Sequence, residues 1–156
     1  MIILSDTNEI KPLSFRLDSI LIEVQRFNLP VGDYRALYAD GSMSKVVFER
    51  KSLPDLWGTM TKGHKRFMNE VRYAKELGID LYLIIENSFS EVEDGFERSD
   101  FGGSSMVKKL GTLFHKYHLP VIFTAGREDM ARFIKLFFVS EGWNKLRESS
   151  KGKLVC

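Results

Sequence analysis

The sequence predicts an α/β domain in which a central mixed β-sheet is flanked by α-helices. Two patterns carry this expectation. Between residues 33 and 51, two strand-like runs meet at Asp40-Gly41, a dipeptide suited to the positive-φ corner of a tight turn, so the runs should pair antiparallel. From residue 53 onward, apolar residues at helical spacing alternate with short continuous apolar runs, an order that implies parallel pairing through helical crossovers.

Taken in order, Ile2 to Ser5 is a short apolar run ending at Asp6, followed by a polar stretch with Pro12, and reads as a strand entering a loop. Ser19 to Phe27 carries Ile20, Leu21, Ile22, Val24 and Phe27 among polar residues and reads as a second strand, after which Pro30 and Gly32 punctuate the chain. Tyr34 to Ala39 and Ser44 to Lys51 are the two arms of the hairpin. Leu53, Leu56, Trp57 and Met60, then Phe67, Val71, Ala74 and Leu77, fall at helical spacing with Gly63 between them, which predicts two consecutive helices. Asp80 to Glu86 holds the run Leu83-Ile84-Ile85, the pattern of a central strand buried on both faces. Asn87 to Gly103 is rich in Ser, Gly, Asp and Glu, which predicts a long mobile loop. Met106, Leu110, Leu113, Phe114 and Tyr117 mark a helix, Pro120 to Thr124 a strand, and Met130, Phe133, Ile134, Phe137 and Phe138 a last helix. The expected organisation is one domain over residues 1–145 with a flexible tail over 146–156, and no internal repeat or low-complexity linker interrupts it.

At 156 residues, 44% of them hydrophobic, the chain can fill one core but not two of ordinary size. No apolar run reaches the ~18 residues of a membrane span, and the opening MIILSDTNE lacks the basic region of a signal peptide, so no membrane and a cytoplasmic location are expected, at the nucleoid or in the nucleus according to the source. The single cysteine, Cys156, excludes an internal disulfide and a thiolate zinc site. A formal net charge of +2 is too small to identify a nucleic-acid partner by itself.

The chemistry concentrates at the ends of the hairpin. Asp33 opens one arm and Glu49-Arg50-Lys51 closes the other, so these ends should lie near each other. Side chains at i and i+2 of a strand share a face, which groups Glu49 with Lys51 and turns Arg50 the other way. Phosphodiester hydrolysis needs hard oxygen ligands for Mg²⁺ or Mn²⁺ and a cation to orient the attacking water and screen developing charge, and Asp33, Glu49 and Lys51 supply both. The charged triplet alone better suits the solvated end of a strand; the lead-in Val46-Val47-Phe48 places it at the rim of a core. Asp55 follows Ser52 and Pro54 in the pattern of a helix start, so it is a capping acid, a site acid, or both. Asp6 and Glu9 read as loop carboxylates. Lys62, Lys65 and Arg66 place three cations at a helix start, which favours phosphate and suits a solvated helix end equally well. His64, His115 and His118 lack zinc-ligand spacing.

Gly32-Asp33-Tyr34, then Glu49-Arg50-Lys51, three residues and Asp55, resembles the signature of the XPF family of structure-specific endonucleases. Ser5-Asp6-Thr7-Asn8-Glu9 with Pro12-Leu13 is similar to that family's opening segment, Gly63 with Arg66-Phe67 and Glu70 to its next helix, and Leu83-Ile84-Ile85-Glu86 to its central strand. The motifs span residues 2–86, and the order of elements extends the likeness toward residue 140. The resemblance implies a restriction-endonuclease-like core. It implies that Asp33, Glu49 and Asp55 hold Mg²⁺ or Mn²⁺, that Lys51 positions the water, and that Arg50 contacts phosphate or braces the site. Asp6 and Glu9 would then sit beside the metal, Arg66 and Glu70 would line the groove, Lys62, Lys65, Arg66 and Arg50 would face DNA, and Glu86 would support the site. Asn8 departs from the arginine that many members carry there, and nothing resembles the tandem helix-hairpin-helix module or helicase segment of many members. Members commonly pair through this domain, so Phe133, Phe137, Phe138 and Trp143 are either a homodimer face or ordinary core.

The function expected is a metal-dependent DNA endonuclease acting at branched, flap or fork structures in repair or recombination. A non-catalytic DNA-binding or dimerising subunit and a nuclease without structure preference are the alternatives. The intact acids and Lys51 speak against the first.

Overall fold

In the computed structural model, which describes residues 1–15 and 22–152, six strands form one sheet in the order β2-β1-β3-β4-β5-β6. These are β1 (Ile2–Asp6), β2 (Glu23–Phe27), β3 (Tyr34–Leu37), β4 (Met43–Lys51), β5 (Asp80–Ile85) and β6 (Val121–Phe123). The predicted hairpin forms: β3 and β4 pair antiparallel, with Gly41 at a φ of 82° in the turn. β4, β5 and β6 run parallel as the helix-strand alternation implies, β1 is antiparallel to β3, and β2 lies parallel to β1. The sheet is therefore mixed. Of the predicted second strand, Glu23 to Phe27 is paired and Ser19 to Leu21 lie outside the described residues. Every residue of β2 is exposed, as suits a charged, polar edge.

Helices α1 (Leu53–Met60) and α2 (His64–Glu76) appear as predicted. Ser52 caps α1, accepting from the Asp55 amide, and Pro54 stands in the first turn where its missing N–H is harmless. The region expected as a loop over 87–103 contains instead a short helix, α3 (Phe89–Asp94). Its start is a capping box between Ser88 and Glu91, and only Val92 of the helix is buried, so composition hid an element fixed by its ends. Gly103, which opens α4 (Gly103–Tyr117), lies so close to α3 that a Cβ would sit 1.9 Å from the Glu93 carbonyl oxygen. The last helix, α5 (Arg127–Gly152), runs beyond its predicted aromatic stripe, through residue 145 to Gly152. None of the helices among the described residues is long and apolar enough to cross a membrane.

The two faces of the sheet are filled differently. Val47, Leu81, Leu83 and Ile85 face α1, α2 and α4 in a largely aliphatic core. Val46, Phe48 and Ile84 face α5, where Phe48 meets Phe133, Phe137, Phe138 and Tyr82 edge-on at centroid distances of 6.2, 5.2, 5.4 and 5.8 Å. One helix must cover a face that several share on the other side, and large rings achieve it. The aromatic stripe is split accordingly: Phe138 is core, while Phe133 and Trp143 are 39% and 60% exposed.

The alternation along β4 decides the rest. With Val47 on the α1–α2 face, Glu49 and Lys51 continue that face, and Arg50 follows Phe48 onto the α5 face.

Candidate active site

Asp33 is held by backbone before its side chain does anything. Its N–H donates to Phe48 O at 2.8 Å and its carbonyl accepts from the Asp6 N–H at 2.8 Å, which pins it between β1 and β4. Gly32 makes this approach possible. It adopts a φ of 69°, and a Cβ there would lie 2.5 Å from Val47 Cγ1. The Asp33 carboxylate then accepts from the Arg50 backbone N–H at 2.7 Å.

Glu49 and Lys51 meet as their shared face requires, Nζ to Oε1 at 2.6 Å. The ammonium bonds Glu49 directly, while half-buried Asp33 feels only its charge. Burial, and next the charge of Glu49, push the Asp33 carboxyl up to about 8. Burial likewise raises Glu49, with Lys51 opposing and Glu70 adding to the rise. Burial works to lower the Lys51 ammonium, but Glu49 and Asp33 outweigh it and the net shift is upward.

Arg50 lies in a separate network. Its guanidinium bonds Glu9 at 3.1 Å and Glu86 at 2.7 Å, while its Nε is buried without a partner among the described residues. Arg127 approaches the other Glu86 oxygen at 3.6 Å and donates to the carbonyls of Lys11 and Pro12. No local pattern singles out Arg127, which comes from the first turn of α5, where cations are disfavoured by the helix dipole.

The remaining predicted residues divide. Asp6 is buried, and both carboxylate oxygens are taken by backbone N–H groups, those of Leu29 and Asn8, so it staples the loops around β1. Asp55 accepts from the Ser52 hydroxyl at 2.6 Å and is exposed at the mouth of the site. Glu70 accepts from Gly32 N–H at 3.5 Å. Tyr34 fixes the stretch after β1 by accepting from Leu13 N–H at 2.7 Å; burial pushes its hydroxyl up to about 12.

Two cavities meet at the cluster. An inner one of about 480 Å³ lies between residues 29–33 and the α1–α2 junction and includes Asp6, Arg66 and Glu70. An outer one of about 730 Å³ includes Glu9, Lys11, Arg50, Asp55, Glu86 and Arg127. Asn8, Asp33, Glu49 and Lys51 line both. Lys62 and Lys65 are exposed and line neither.

Among the described residues no three His, Cys, Asp or Glu converge as a metal-ion cluster. The donor set is nonetheless suited to Mg²⁺, which takes one or two carboxylates and fills the rest of its shell with water and phosphate. Asp33 and Glu49 each have one oxygen engaged, and their mutual repulsion is the kind of strain that a divalent cation relieves.

A mixed sheet carrying an acid-acid-lysine cluster at its open end defines a restriction-endonuclease-like nuclease core. The ERCC4 domain model matches residues 5–137, and the chain belongs to that family, the XPF-type nucleases. XPF from Aeropyrum pernix in complex with DNA is similar in fold, with a TM-score of 0.66 and 20% identity over 86% of this chain and 61% of that one. XPF from Aeropyrum pernix alone gives a TM-score of 0.69 and 19% identity over 95% of this chain and 69% of that one. The chain thus spans about three-fifths of the length of the DNA-complexed protein. No individually curated protein matches it.

Proposed function

We propose that this domain is a Mg²⁺- or Mn²⁺-dependent endodeoxyribonuclease that hydrolyses phosphodiester bonds at branched, flap or fork DNA during repair or recombination. The observation that carries the reading is the Asp33, Glu49 and Lys51 cluster, buried by its neighbours yet lining an open groove.

Asp33 Oδ1 and Glu49 Oε2 accept no hydrogen bond among the described residues and are the oxygens that would hold the ion. A divalent cation, when bound, supplies a Lewis acid for the scissile phosphate. Lys51, kept charged by Glu49 and Asp33, presents Nζ to orient the attacking water and screen the charge that grows on the phosphate. Arg50 braces β4 against Glu9 and Glu86 and so fixes the backbone N–H that positions Asp33. Asp55, at the groove mouth, is a further oxygen donor within the outer cavity.

DNA as the substrate is supported by the cations Lys62, Lys65 and Arg66 on the α1–α2 side, which make no ion pair among the described residues, and by the DNA complex of the Aeropyrum pernix protein. Preference for branches follows the family resemblance. Pairing of two protomers through α5 is supported by Leu136, Trp143 and Leu146, which are 56%, 60% and 67% exposed.

The test is cleavage of labelled duplex, single-stranded, 3′-flap, fork and four-way-junction DNA in Mg²⁺, Mn²⁺ or EDTA. Metal-dependent cutting, lost in Asp33→Asn and fastest on branched substrates, is expected. Binding without cutting would identify a non-catalytic partner, and equal cutting of all substrates would remove the structure preference.

A further inference from the structure

Three glycines line the inner cavity, and the fold accounts for two. Gly32 requires its positive φ, and at Gly63 a Cβ would press within 3.2 Å of the Gly58 carbonyl oxygen and Thr59 Cα. Gly58 has neither reason. It sits within the eight-residue helix α1 without a positive φ, it is exposed, and a Cβ built there meets nothing within 4 Å. Glycine is the poorest helix former after proline, so the packing of the free protein gives no ground for it at this position. What it leaves is a bare stretch of backbone in the cavity wall.

Two further features face the same space. Arg66 lines the cavity, is exposed, and engages no acceptor among the described residues, unlike Arg50, Arg127 and Arg132. Asp55 and Gly58 are three residues apart on α1, so one exposed helix face runs from the outer cavity to the inner one past the Asp33 cluster. A volume of about 480 Å³ is that of a small-ligand pocket.

We infer that the inner cavity is a subsite for the nucleotide flanking the scissile phosphate: its base lies against the bare backbone of Gly58 and Thr59, and Arg66 holds its phosphate. The inference rests on the nuclease reading above.

Gly58→Phe fills the cavity from its wall, and Gly58→Leu does so with a strong helix former should the phenylalanine variant fail to fold. Gly111, an exposed glycine inside α4 whose Cβ also meets nothing, provides the matched control Gly111→Phe, remote from both cavities. With full-length protein, Mg²⁺ and a cleaved DNA, KM should rise about tenfold or more in the folded Gly58 variant, with Tm unchanged or higher, while Gly111→Phe keeps wild-type kinetics. Arg66→Ala should reduce the slope of log Kd against log salt by about one. Wild-type KM in the folded Gly58→Leu or Gly58→Phe protein overturns the subsite and leaves the nuclease standing, and an unchanged salt slope overturns the role of Arg66. A wild-type protein that cuts no DNA overturns both the nuclease reading and the subsite.

Discussion

Adjacent residues of β4 build two charged clusters of opposite character. On the α5 face, Arg50 lies between Glu9 and Glu86, and Arg127 closes the set, so two cations meet two anions. On the α1–α2 face, two acids, Asp33 and Glu49, stand against the ammonium of Lys51, which bonds Glu49 alone, and burial raises both acids. The first cluster is compensated and behaves as a brace. The second holds more negative charge than its surroundings satisfy, which is the condition of a site prepared for a cation and a phosphate. A one-residue step along a strand is enough to separate structure from chemistry.

The comparison can be broken most forcefully at Arg50. Arg50→Leu strands Glu9 and Glu86 without their shared partner and should destabilise the domain by about 3–5 kcal/mol, read as a lower urea midpoint. If stability holds, the brace is not structural. Lys51→Met leaves the buried Glu49 carboxylate without its ammonium, so it should also lower the urea midpoint, and in the folded variant it should reduce the cleavage rate roughly 10²- to 10³-fold under single-turnover conditions. Retention of the rate would remove Lys51 from the chemistry.

A third prediction concerns pH. The Asp33 pKa of about 8 in the fold lies above its ordinary 3.8, so between these values the folded protein binds more protons than the unfolded one. Stability of the metal-free protein is therefore fully present below about pH 4 for this group and is lost as pH rises through about 8, by a few kcal/mol at most. Urea unfolding across that range should show the decline, and Asp33→Asn should flatten it. The smallest effect is expected at Arg127. Its side chain is 39% exposed, so Arg127→Ala should cost about 1 kcal/mol or less. A larger loss would make it a full member of the brace.

Local periodicity explains what could be read in advance. The hairpin turn at Asp40-Gly41 and the two-residue alternation through Glu49, Arg50 and Lys51 are properties of neighbouring residues, and both are legible in the chain. Arg127 reaches Glu86 only because α5 crosses the sheet's far face, and no local pattern announces such a meeting. The same holds for Glu9 and Arg50, joined by the pairing of distant strands, and for the double backbone anchorage of Asp6, which makes a staple of an acid that the motif alone puts beside a metal. α3 was hidden for another reason: its polar composition resembles a loop, and its capping box and one buried valine define it.

The most direct test joins cleavage to stability in one variant. Asp33→Asn should lose metal-dependent cleavage by roughly 100-fold or more while its metal-free Tm at pH 8 rises, because the substitution removes a repelled buried charge. Cleavage at the wild-type rate, or a loss accompanied by a fall in Tm, would contradict the assignment of Asp33 to a strained, cation-binding site.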